Sequence, residues 1–261
     1  MKPSRVPLIT LILVLVFFYL PIGFLVLNSF NDTRYASKWS GFTTRWYERL
    51  FERTDILAAL GNSVKVATCA SLASMVLGTA AAFALQRYKS RLQDANKLLV
   101  AVPLVLPDIL MGMSLLLLFI SFGMKLSLLT ISIAHITFCL SYVALVVQAR
   151  LQDFDFNVVE AAQDLGATKV QAFMKVTLPL LAPGIFAGGL LAFTLSIDDY
   201  VITYFVKGPG SDTLPTLVYS MIKKSKDLPV INALSSLMLI VTFAVVAVSQ
   251  RLTRPAVAES K

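Results

Sequence analysis

The sequence predicts an all-α, polytopic membrane protein with six transmembrane helices, and three observations predict it. Of its 261 residues 57% are hydrophobic and 15% are charged, where a soluble domain is about a quarter charged. Charge-free runs cover 6–31, 66–86, 126–149, 176–197 and 228–250, and the run 98–124 is broken only by Asp108. Each run reaches the roughly 20 apolar residues that a helix needs to cross a hydrocarbon core about 30 Å thick. The length alone permits one or two soluble domains, but this distribution of charge excludes them.

The first span is expected over 8–28. The stretch after it, Asn28-Ser29-Phe30-Asn31-Asp32, carries no Ala-x-Ala cleavage pattern, so the run reads as a retained helix rather than a signal peptide. A polar segment, 31–61, follows, in which Trp46, Leu50 and Arg53 recur at helical spacing. That pattern suits a short amphipathic helix on the membrane surface. Spans two and three are expected over 62–85 and 98–122, joined by a connection, 86–97, that carries Arg87, Lys89, Arg91 and Lys97. Pro103 and Pro107 break the hydrogen-bond ladder of the third. The remaining spans are expected over 128–148, 184–205 and 231–250. Gly208-Pro209-Gly210 and Pro215 mark 206–230 as a turn-rich loop. No repeat and no low-complexity tract divides the chain, which reads as one transmembrane domain over 1–261.

Orientation follows from the short connections, where the positive-inside rule works best. The four bases of 86–97 outweigh the single Lys125 of the next connection, which places both termini in the cytoplasm and 31–61 on the outer side. The formal net charge of +8 suggests nucleic acid in a soluble protein. In a membrane protein it reads instead as bases gathered in connections against anionic lipid headgroups. Cys69 and Cys139 fall in separate apolar windows and are expected buried as small hydrophobes, with no disulfide. His135 is the only histidine, so no multi-histidine metal site can form, and a hydrogen bond between helices is its expected role. Neither a metal nor a cofactor is expected on this chain.

The connection 150–183 carries the most specific pattern. It reads as two short helices about a glycine: Asn157 as first cap with Glu160 as its capping partner, then Gly166 as the left-handed stop. Thr168 caps a second helix that runs to Pro179, with Val170, Phe173, Met174 and Thr177 along one apolar face. A docking surface for a cytoplasmic partner and an ordinary interfacial hairpin are both open on this ground.

The motif itself resembles the EAA loop of ABC-importer permease subunits. That pattern is Glu-Ala-Ala, three residues, Gly, nine residues, then Ile-x-Leu-Pro, and here it is Glu160-Ala161-Ala162, Gly166 and Leu178-Pro179, with Val176 at the Ile position. The resemblance implies the type I permease fold, a cytoplasmic loop, and coupling to a separate ATPase through Glu160, Ala161, Ala162, Asp164, Gly166 and Pro179. The chain has no Gly-x-x-x-x-Gly-Lys-[Ser/Thr] phosphate loop, so ATP and Mg belong to that partner and the chain is not itself an enzyme.

Three acids lie inside apolar spans, where a charge costs roughly 2.5–3.5 kcal/mol on insertion scales. Asp108 follows Pro107 about 15 Å along its helix from Leu98, near mid-bilayer, and Asp198 is about 21 Å from Gly184, toward the outer side. Thr194 and Asp198 share a helix face, as do Ser196 and Asp199. Carboxylates among hydroxyls, with Tyr200 and Tyr204 whose rings suit an ammonium group, point to a cation path. The alternatives are that Asp108 caps a helix restarting after Pro107, and that one of the pair answers a base on a partner subunit.

These stretches, with Gly41-Phe42-Thr43-Thr44, Trp46-Tyr47 and His135-Ile136-Thr137-Phe138-Cys139-Leu140, resemble spermidine/putrescine importer permeases over about 8–250. The resemblance implies an inner-membrane permease that pairs with a homologous second permease and works with two copies of an ATPase. It implies a periplasmic polyamine-binding protein as donor, and Trp46 near the external entrance. Another cationic cargo, thiamine or ferric ion, remains open, as does a proton- or sodium-coupled secondary transporter, although the internal inverted repeats frequent in that class are not evident.

Overall fold

The computed structural model describes residues 6–33, 38–88, 91–152, 154–224 and 227–253. The described residues fold into helices and connections, with one isolated antiparallel bridge between Asn31 and Phe42. The chain packs as two compact units, one formed by its two ends, through Leu57 and from Val218 onward, and one by Ala58–Leu217.

The first unit holds α1 (Val6–Ser29), α2 (Arg45–Glu52) and α12 (Leu228–Thr253). α1 leaves its apolar side chains exposed, Phe17 at 75% and Leu13 at 64%, a surface that only lipid or another subunit can cover. α2 is the expected short amphipathic helix, with Trp46 and Leu50 buried and Arg53 as its C-cap. Arg53 Nη1 reaches Asp227 Oδ2 at 2.8 Å, pinning α2 to the residue that precedes α12. Asp227 sits at φ 58°, a conformation that costs a non-glycine residue about 1–2 kcal/mol.

The second unit begins with most of α3 (Thr54–Arg87), a 34-residue helix that starts well before the expected boundary at 62. The expected third span is not continuous. α4 (Gln93–Val105) and α5 (Asp108–Ser121) meet at a bend of 111°, because Pro107 supplies no amide and Leu106 and Pro107 are extended, with ψ 135° and 134°. α6 (Leu128–Gln152) is unbroken and forms the axis of the unit. Its Ile131, Ala134, Val143, Ala144 and Val147 are fully buried, as are Leu181 and Ala192 of α9 in the same cluster. Two glycines let α6 approach its neighbours closely. A Cβ at Gly78 of α3 would lie 2.8 Å from Val143 Cβ, and one at Gly188 of α9 would lie 3.3 Å from Val143 Cα.

α7 (Asn157–Asp164) begins one residue earlier than expected: Asn157 is its first residue rather than its cap, the cap position falls to Phe156, and Asp155 Oδ1 accepts the Asn157 amide at 2.9 Å. Gly166 stops the helix at φ 92°. Thr168 does cap α8 (Lys169–Ala172), in a reciprocal box with Gln171. Pro179 does not end this helix, as the sequence reading required. α8 passes through a π turn, Phe173–Thr177, straight into α9 (Leu178–Asp198), with Pro179 in the first turn, where its missing amide does least harm. The expected apolar face is also corrected, since Val170 and Met174 are exposed at 71% and 54%.

The expected fifth span, 184–205, is interrupted between α9 and α10 (Val201–Val206), and the expected loop 206–230 contains α11 (Leu214–Lys223). Pro7–Ser29, Thr54–Arg87, Leu128–Gln152 and Lys169–Asp198 are each long and apolar enough to cross a membrane, and the bent α4–α5 pair adds a fifth candidate. Cys139 is buried, but Cys69 is exposed on α3, contrary to expectation. Of the four bases in 86–97 that orient the chain, Lys89 lies outside the described residues.

Candidate functional site

The two helix interruptions carry the three intramembrane acids. At the α9–α10 break Asp199 is extended, with ψ 126°, and its carboxylate turns back over the start of α10. Asp199 Oδ2 accepts the Thr203 amide and hydroxyl, each at 2.8 Å, and Oδ1 accepts the Ile202 amide at 3.3 Å. These are the orphan donors of a helix N-terminus, and a carboxylate is the acceptor that best suits them.

His135 of α6 completes the cluster at 0% exposure. Its Nδ1 is 2.7 Å from Ser196 Oγ, and its Nε2 is 2.9 Å from Thr203 Oγ1 and 3.3 Å from Asp199 Oδ2. One assignment satisfies every group. Thr203 donates its hydroxyl to Asp199, the His135 Nε2–H donates to Thr203 Oγ1, and Ser196 donates to Nδ1. The expected hydrogen bond between helices is therefore double, from α6 to Ser196 of α9 and to Thr203 of α10. Thr203, which carries no sequence signal beyond a hydroxyl in an apolar helix, belongs to it.

The neighbouring acid behaves differently. Asp198 ends α9 and is exposed, and Thr194, one turn earlier, is exposed as well, its hydroxyl donating to Leu190 O at 2.9 Å. Tyr200 and Tyr204 follow with ring centroids 5.6 Å apart, Tyr204 being 48% exposed. Asp108 is the first residue of α5, exposed, with no capping bond from the residue before it.

The two breaks lie side by side. Gly112 of α5 meets α10 so closely that a Cβ there would sit 2.7 Å from Phe205 Cδ2 and 3.3 Å from Ile202 Cα. Further along, Gly208 packs on the Leu126 carbonyl and Thr130 Oγ1 donates to Val206 O at 2.8 Å. Asp108 begins α5 and Asp198 ends α9, so each acid stands at one of the two interruptions.

Trp46 lies in the other unit, 5% exposed, with its indole N–H donating to Asn31 O at 2.9 Å and the Arg45 guanidinium 4.3 Å above its ring. There it anchors the turn whose Asn31 amide side chain also holds the Lys38 carbonyl at 2.9 Å.

The loop between α6 and α9 forms a second surface. Glu160, Ala161, Asp164 and Gly166 are exposed, Ala162 is half-buried, Pro179 is exposed, and Leu165 protrudes at 91% exposure. An apolar side chain so fully presented beside two acids has the form of a docking point. Phe83 of α3 stacks edge-on against Phe173 of the π turn at 5.1 Å, and Arg87 lies 5.7 Å over the Phe156 ring, which ties this loop to the end of α3.

Comparison with known proteins gives a consistent answer. Residues 74–257 match the family of binding-protein-dependent transport system inner membrane components. The chain is 43% identical over 246 residues to the putrescine transport system permease protein PotI of Escherichia coli strain K12, covering 91% of this chain and 86% of that one. It is 40% identical over 238 residues to the spermidine/putrescine transport system permease protein PotC of Haemophilus influenzae, covering 91% and 92%. A chain of a bacterial ABC transporter that imports the acidic polysaccharide alginate superposes with a TM-score of 0.76 at 16% identity, over 97% of this chain and 99% of that one. These likenesses carry the resemblance and the type I fold expected from the EAA motif, and the chain belongs to the family of binding-protein-dependent transport system inner membrane components.

Proposed function

We propose that this chain is the permease subunit that passes polyamines, putrescine and spermidine, through the inner membrane in an ATP-driven importer. One observation carries the reading: two exposed carboxylates, Asp108 at the start of α5 and Asp198 at the end of α9, stand at the two helix interruptions within apolar spans, where Gly112 brings α5 close against α10. A polyamine presents ammonium groups spaced along a flexible chain, and two separated carboxylates beside the Tyr200–Tyr204 pair match it by charge and by cation–π contact. Thr194 adds a hydroxyl on the same face. The named cargoes of the relatives, putrescine and spermidine/putrescine, support the same class.

The partners follow from the family. A homologous second permease completes the path, two ATPase copies seat on the loop around Glu160, Ala161, Ala162, Asp164, Gly166 and Pro179, and a periplasmic binding protein delivers the cargo. In this arrangement both termini and 150–183 are cytoplasmic, and 31–61 is periplasmic.

Uptake of labelled putrescine and spermidine by cells expressing the whole transporter tests the path. Asp108→Asn and Asp198→Asn each raise KM at least tenfold, about 1.4 kcal/mol of lost binding. Unchanged uptake in both variants, or stronger competition by thiamine or ferric ion than by polyamines, overturns it.

A further inference from the structure

The path proposed above uses Asp198, yet the adjacent Asp199 is nearly buried, and the chemistry of the two sites differs in kind. Asp199 has every strong acceptor position occupied from within the chain: two bonds from Thr203, one from Ile202, and the His135 ring at 3.3 Å. Its side chain is 10% exposed. Asp198 is exposed. A carboxylate that meets a passing cation must shed those contacts or never have made them.

We infer that the acid pair is divided in labour, with His135 as the positioning residue that divides it: His135 and Asp199 fix the α9–α10 break so that Asp198 alone is turned toward the cargo. This rests on the cation path proposed above. The helix break explains why a clamp is required. With α9 ended at Asp198 and α10 restarting at Val201, the intervening backbone has no continuous ladder to set its direction. His135 supplies the direction from outside, holding Ser196 on the last turn of α9 with one nitrogen and Thr203 and Asp199 at the start of α10 with the other. Both helices are thereby tied to α6, the buried axis of the unit. The sole histidine of the chain is placed where its two nitrogens span the gap.

The test uses the complete transporter, all subunits co-expressed, in a Cys69→Ala background, since Cys139 is buried. Four transport variants are compared. Asp198→Asn raises KM for spermidine at least tenfold. Asp199→Asn, whose side-chain oxygen still accepts from Thr203, leaves KM within about threefold. His135→Ala raises KM about tenfold at equal transporter in the membrane, and His135→Gln, which keeps one donor and one acceptor, brings it back to within threefold. A purely structural histidine lowers the amount of transporter and Vmax but not KM.

Position is read independently by labelling with a membrane-impermeant cationic thiol reagent. Asp198→Cys labels rapidly, and adding His135→Ala changes that rate at least tenfold, while Thr194→Cys, one turn back on intact α9, is unaffected. If His135→Ala does not reach the membrane, Ser196→Ala, which removes only one partner of the ring, takes its place in both assays.

An Asp199→Asn variant as impaired in KM as Asp198→Asn overturns the division, as does labelling of Asp198→Cys that ignores His135. If the labelling of Asp198→Cys depends on His135 but spermidine does not slow labelling of Thr194→Cys, in which Asp198 is intact, the polyamine reading fails and the positioning role stands.

Discussion

Alanine at position 78 places one methyl group where two helices touch. Its Cβ would lie 2.8 Å from Leu140 O, 2.8 Å from Val143 Cβ and 3.0 Å from Val143 Cγ1. Carbon contacts settle at about 3.5–4.0 Å, so α3 and α6 must separate by most of an ångström. No rotamer change relieves the clash, because one contacted atom is a backbone carbonyl and another is a Cβ. α6 has no room to retreat, since Gly188 of α9 already lies against the same Val143. Overpacking of this kind costs about 1–3 kcal/mol, and the better helix propensity of alanine returns about 0.8–1 kcal/mol. The two ranges leave a net loss of about 0–2 kcal/mol, and the fixed backbone carbonyl and Cβ in the contact put this site in the upper half, about 1–2 kcal/mol. At about 2–4 °C per kcal/mol for a chain of this size, Tm falls by about 2–8 °C. The buried Cys139 supplies the assay: in a Cys69→Ala background, a fluorogenic maleimide reports its exposure as detergent-solubilised protein is heated. Gly23→Ala is the control, because nothing lies within 4 Å of its Cβ, and it melts at or above the parent temperature. Gly78→Ala melting with the parent would refute the claim that α6 is gripped at Val143.

Three further outcomes follow from the packing and the loop. Gly208→Ala drives a Cβ into the Leu126 carbonyl, a backbone atom with no freedom to yield, so the variant fails to accumulate in membranes by immunoblot. Thr168→Ala removes the capping box of α8 and costs about 1 kcal/mol locally, read as faster hydrogen exchange at the Gln171 amide with little change in global Tm. Glu160→Lys, on an exposed turn, leaves Tm unchanged but abolishes co-purification of the ATPase, and the isolated chain hydrolyses no ATP with or without the change.

The sequence discloses some of these features and conceals others for definite reasons. Apolar run length located the membrane helices, because burying a backbone in hydrocarbon permits no other structure of that length. Prolines announced the break at Asp108, since a missing amide is a local property. The break after Asp198 has no proline or glycine at it. It is imposed by tertiary contacts from His135, whose partners lie 61 and 68 residues away. A count of 3.6 residues per turn along an unbroken helix pairs Thr194 with Asp198 and Ser196 with Asp199 on two faces about 100° apart, and nothing local shows that the helix ends between the two acids. Cys69 and Cys139 show the same limit, as an apolar window does not tell which side of a helix meets lipid and which meets protein. In the loop, Gly166 and Thr168 were legible because a left-handed turn and a capping box are local devices. Pro179 misled, because proline stops a helix in its interior and is well tolerated in its first turn.

The helix that begins in the exposed loop is the same one that ends at the exposed acid Asp198. Lys169–Asp198 is a run of 30 residues, a rod of about 45 Å at 1.5 Å per residue. Its lower end stands beside the surface where an ATPase would press, and its tip carries Asp198. For such a lever, each degree of tilt about the lower end moves the tip by about 0.8 Å. A swing of about 10° therefore carries the acid across a distance comparable to the spacing of neighbouring helices. The π turn at Phe173–Thr177 and the prolines at 179 and 183 lie in the first half of the rod, where loosened hydrogen bonding lets a helix bend without melting. Small tilts at the loop end are thus geometrically amplified at Asp198.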